Sequence, residues 1–116
     1  MIENFTPLEY FVHVTLEDEN PEFDSDVFIR SIVHATGFDK HVLFSSSRRP
    51  QLVSVRNLIC LVLKKNGYTW EAIGSVIKKH HSTALTGCEV AKSQRGVYPV
   101  QDQYERLFNS LGYEPF

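Results

Sequence analysis

The sequence predicts an all-α protein, a small helical bundle that contains a helix-turn-helix. Three observations predict it. Apolar residues recur at spacings of three and four from Leu52 to Asn66, which is the period of a helix with one buried face. Helix starts and stops punctuate the chain, with Thr6-Pro7 and Thr69 as starts and Gly37 and Gly67 as stops. Two short helical stretches then follow one another across a tight turn. At 116 residues the chain has the length of one domain with a modest core. Its 42% apolar content excludes wholesale disorder.

In chain order, residues 1–25 form an acidic segment. Thr6-Pro7-Leu8-Glu9 combines a cap, a first-turn proline and a capping-box glutamate, so a helix is expected over residues 7–17. Tyr10, Val12, Val14 and Leu16 nevertheless alternate like a strand. Glu17 to Asp24, with Pro21, is expected to be a linker. A domain over residues 26–112 follows, with 113–116 as a tail. Its first helix is expected from about Asp26 to Thr36, with Ile29, Ile32 and Val33 on one face. Asp39 to Phe44 is expected to make one helical turn. Ser45-Ser46-Ser47-Arg48-Arg49-Pro50 has nothing apolar to bury and is expected to be a basic loop. The strong helix from Leu52 to Asn66 carries Leu52, Val55, Leu58, Ile59, Val62 and Leu63 toward the core. A helix over Trp70 to Ile77, capped by Thr69, leads through Lys78 and Lys79 into one that opens around His80-His81-Ser82-Thr83. This last helix continues through Leu85, Cys88 and Ala91 to about Ser93. Cys60 and Cys88 fall inside these helical patterns and read as small buried hydrophobes in a reducing cytoplasm.

The formal net charge of −2 conceals a strong asymmetry. Residues 1–29 hold eight acids and no Lys or Arg, whereas residues 30–95 hold eleven Lys and Arg against three acids. A middle segment of net +8 suits a polyanionic partner, or a solvated basic face paired with an acidic one. The helix pair within it suits a DNA groove. The second helix presents its N-terminus, with free backbone N–H groups and the positive end of its dipole. Short Ser and Thr side chains can approach bases or phosphates, and a Thr methyl can meet a thymine methyl.

Arg48 to Ser93 resembles the C-terminal duplex-DNA-binding domain of the bacterial replication initiator DnaA, which is related to the Trp repressor fold. The family carries an Asp-His-Thr-Thr-Val type signature at the start of its recognition helix. Here that stretch reads His80-His81-Ser82-Thr83-Ala84 after a basic Lys79, and Ile73-Gly74 matches the preceding helix. The resemblance extends upstream through Phe28 to Phe44 and downstream to Gln103-Tyr104-Glu105-Arg106-Leu107. It implies that Arg48, beside Arg49, enters a minor groove and that Arg56 and Lys64 touch the DNA backbone. It also implies that His80, His81, Ser82 and Thr83 face bases and phosphates in the major groove, with Lys78 and Lys79 at the turn. One position departs: His80 stands where the family has an aspartate that accepts a hydrogen bond from a base. No GxxxxGK[ST] loop occurs, so no nucleotide is expected.

The expectation is therefore a stand-alone, sequence-specific duplex-DNA-binding protein of bacterial or phage type, acting in replication or transcription control, without enzymatic activity, cofactor or metal. The His80-His81 pair, and His81 with Cys88 two turns on, do not make a metal set. Ser82 and His81 lack an orienting acid, and Trp70 reads as packing. No apolar run approaches the ~18 residues of a membrane span, and Met1 to Tyr10 has no basic start before an apolar stretch. A cytoplasmic, nucleoid-associated location follows, with no membrane partner. The competing class is a protein-interaction module derived from the same fold, with the acidic N-terminus as a partner surface. Whether Arg48, Arg56, Lys64, Lys79 and Thr83 line one surface distinguishes the two.

Overall fold

The computed structural model describes residues 22–116; the helix expected over residues 7–17 lies outside them. The described residues form six helices and no strand: α1 Ser25–Thr36, α2 Lys40–Leu43, α3 Pro50–Lys65, α4 Trp70–Ile77, α5 His81–Gln94 and α6 Pro99–Ser110. None is long and apolar enough to cross a membrane.

Local chemistry sets the boundaries. Asp24 caps α1 by accepting from the Asp26 and Val27 amides at 2.9 and 3.3 Å. Gly37 ends that helix at φ 77°, in the left-handed region. Pro50 opens α3 at a position where a missing N–H costs nothing. Thr69 caps α4 through the Ala72 amide at 3.1 Å.

The bundle is organised around α3, against which α2, α4, α5 and α6 all pack. Its residues from Leu58 to Leu63 are buried without a break. A helix covered on several sides no longer needs one apolar stripe, which is why Cys60 and Leu61 are buried beyond the six positions expected from spacing. The α1 helix joins the core through Phe28, whose ring lies 6.1 Å from Phe108 of α6 and 4.7 Å from Tyr113. Phe23 packs on Phe28, Tyr68 and Tyr113 as well, so the folded body already includes the end of the expected linker. The last four residues, expected as a tail, turn back onto the bundle: Tyr113 packs on Phe28, and Pro115 is buried.

The second of the paired helices packs through its small residues. Leu85 is 41% exposed, and the face of α5 that meets the core is Ala84, Gly87, Cys88 and Ala91. The reason is distance. A Cβ built on Gly87 would stand 2.7 Å from Asn57 Oδ1 of α3, so only small residues fit between the two helices. Both cysteines are buried and unpaired. Burial pushes the Cys60 thiol up to about 12 and the Cys88 thiol up to about 11, so both stay protonated at neutral pH.

Candidate nucleic-acid interface

The loop between α2 and α3 carries no apolar anchor, and its own serines organise it. Ser45 Oγ donates to Val42 O at 2.7 Å and accepts the Ser47 amide at 3.2 Å. Ser47 Oγ accepts the Arg49 amide at 3.3 Å. From α3, the half-buried Arg56 then clamps the loop. Its Nη1 and Nη2 donate to the carbonyl oxygens of Ser45 and Ser47, and its Nε donates to Leu52 O at 3.3 Å. Burial holds the Arg56 pKa below its ordinary value. Arg48 and Arg49 follow the clamped serines and are both exposed.

The turn from α4 to α5 is three residues, Lys78 to His80. Lys78 adopts φ 60°, and the Lys79 amide donates to Gly74 O at 2.9 Å. The turn crosses directly over Gly74: a Cβ there would lie 2.7 Å from Lys79 O and 3.2 Å from His81 N. His80 caps α5. Its Nδ1 accepts the Ser82 amide at 3.2 Å and lies 2.8 Å from Ser82 Oγ. The same nitrogen serves both groups, which is the geometry of a helix cap. The His80 and His81 rings stack with centroids 4.2 Å apart.

Loop and turn meet. A cleft of about 260 Å³ is lined by Ser46, Ser47 and Arg48 from the loop, Arg56 and Asn57 from α3, Lys79 from the turn and Thr83 from α5. An adjoining hollow is lined by Lys78, Lys79, His80, His81 and Glu71, so Lys79 belongs to both. Among the described residues, none of Arg48, Arg49, Lys78 and Lys79 is ion-paired. Glu71 is the one acid lining either hollow. Glu89 is exposed two turns along α5.

Seven of the ten expected residues come together; Arg49 and Ser82 are neighbours in sequence of lining residues but line neither hollow, and Lys64 lies apart. Arg48, Arg56, Lys79 and Thr83 line one cleft, and Lys78, His80 and His81 adjoin it. Lys64 does not: its Nζ sits 4.4 Å from the Trp70 ring centroid, in a separate cleft at the far end of α3. Arg56 is brought to the site but spends its donors on the loop. Sequence reasoning missed Asn57, which reads only as a polar break in the α3 pattern. The small residues Ala84 and Gly87, read as permitting close packing against the preceding helix, are indeed buried, and Gly87 lies against Asn57 of α3.

No family model, no curated protein and no solved structure matches the chain.

Proposed function

We propose that the protein binds duplex DNA in a sequence-specific manner, with α4 and α5 acting as a helix-turn-helix of the type found in the C-terminal domain of DnaA. The observation that carries the reading is the convergence of Arg48, Lys79 and Thr83 on one cleft beside the N-terminus of α5. A groove-reading helix needs exposed short polar side chains and a positive helix end. Phosphate contacts need unpaired cations on either side of it. His81, Ser82, Leu85 and Thr86 form the exposed face that would meet base edges, with Arg48 reaching a minor groove from its loop. A role in replication or transcription control at the nucleoid follows from this reading. The acidic N-terminal segment would favour release of non-specific DNA by repulsion.

The test is a fluorescence-anisotropy titration of labelled duplex at several salt concentrations. If about five phosphates are neutralised, log affinity falls with a slope of about −4.5 against log salt. No binding even at low salt would favour the competing reading, a protein-interaction module of the same fold.

A second expectation separates capping from recognition. Asp is at least as good an N-cap as His, so His80→Asp is expected to leave the melting temperature unchanged or raised. The added negative charge should lower duplex affinity. Base preference should change at one position with ~1–3 kcal/mol of discrimination, because Asp only accepts. Thermal melts and a competition panel of single-base-pair variants measure both. A large loss of stability would show that the imidazole does more than cap.

A further inference from the structure

The far end of the bundle carries a second cationic surface that the DNA-binding reading does not use. The α3 and α5 helices lie side by side: Thr83 shares a cleft with Val53 and Arg56, Gly87 faces Asn57, and Cys88 and Lys92 share another cleft with Leu61 and Lys64. That second cleft, about 570 Å³, therefore lies at the opposite end of the helix pair from Arg48, and the two have no lining residue in common. Its cations are Lys64, Lys65, Lys92 and Arg95, and no carboxylate side chain lines it. Among the described residues, no Asp or Glu side chain is ion-paired with any of the four. Lys65 is committed to the wall, donating to Glu114 O and Phe116 O at 3.0 Å each. Lys64 lies over Trp70 and Arg95 over Phe116, each 4.4 Å from the ring centroid. The rest of the lining is Leu61, Cys88 and Pro115.

We propose that this cleft is a docking site for an acidic peptide segment that carries an aromatic or large aliphatic anchor. The charge is complementary to a run of Asp and Glu, with Lys64, Lys92 and Arg95 at the rim. The apolar floor takes the anchor, and the two cation–π pairs hold rim cations beside it. Duplex DNA fits less well. Its phosphates form a convex row that would meet the rim and leave the concave apolar floor unfilled. This proposal stands independently of the DNA-binding reading.

Trp70 is the single tryptophan of the chain and lines this cleft, so its emission reports a change there. The probe is a short synthetic peptide of Asp and Glu flanking one Phe, titrated into the full-length protein at low salt. We expect a saturable change in Trp70 emission. Affinity should fall about tenfold in the exposed-site double variant Lys92→Glu/Arg95→Glu, since two attractions become repulsions. It should fall similarly for a peptide with Asn and Gln in place of the acids, a comparison that needs no protein variant. It should also weaken when the Phe becomes Gly, and stay unchanged in Arg48→Ala. Absence of a saturable change overturns the proposal. So does a short duplex that produces the same emission change and loses its affinity in Lys92→Glu/Arg95→Glu, because that result assigns the cleft to nucleic acid.

Discussion

Replacing Gly74 by Ala is expected to destabilise the protein by about 1–3 kcal/mol, the range for forcing an atom into a filled site. The substitution should help on propensity alone, since Ala in a helix interior is favoured over Gly by roughly 0.8–1 kcal/mol. The steric term opposes it and wins. The added Cβ would meet Lys79 O at 2.7 Å and His81 N at 3.2 Å, and both are backbone atoms of the turn that joins α4 to α5. Neither can move unless the turn opens, and Lys78 already holds the left-handed conformation that closes it. Gly87→Ala is the control. Its Cβ also meets an atom at 2.7 Å, but that atom is Asn57 Oδ1 at the end of a side chain that can rotate away. Its stability should change by less than about 1 kcal/mol. Urea denaturation of both variants measures the contrast, and equal losses would show that the helix pair is wedged as tightly by side chains as by the turn.

Arg56→Ala is expected to cost about 1–3 kcal/mol of stability and about tenfold in duplex affinity. The stability loss comes from three donors withdrawn from the carbonyls of Ser45, Ser47 and Leu52. The affinity loss arises indirectly, because the loop that presents Arg48 is no longer held. Arg56→Lys tests this role against a phosphate contact. A lysine keeps the charge but is a single point donor that cannot span the two loop carbonyls as a guanidinium does. If Arg56 positions the loop, Arg56→Lys should resemble Arg56→Ala in both stability and affinity. If it served as a phosphate contact, lysine would retain most of the affinity and the melting temperature would scarcely move.

These two residues also show what was legible from sequence. The helices were readable wherever a local signal closed them: Gly37, Gly67 and the cap Thr69 fall where spacing and capping chemistry put them. The α6 helix was not recognised as an element, although Pro99 in its first turn and Gln101, Tyr104 and Phe108 at helical spacing were there to mark it. Gln101 is a polar residue buried among apolar ones, held by Ala91 O at 2.8 Å and Glu105 Oε2 at 2.9 Å, so the apolar pattern is broken at its start. The candidate site was legible by residue type and not by geometry. Nothing in the spacing of Arg56 and Lys64 tells that one faces the loop and the other a cleft at the opposite end, because helical period places both on the same general side of α3. Leu85 is exposed despite its hydrophobicity, because small residues occupy the space between α3 and α5.

The central claim is that the Arg48 loop and the first turns of α5 form the duplex-binding face. Backbone amide NMR shifts, recorded while a random-sequence duplex is added at low salt, test it most directly. The account predicts that the perturbed amides cluster at residues 46–49 and 78–86, while those of Lys64, Lys65, Lys92 and Arg95 stay in place. Perturbations confined to those four residues and their neighbours, or none at all under conditions where the protein remains folded, would contradict it.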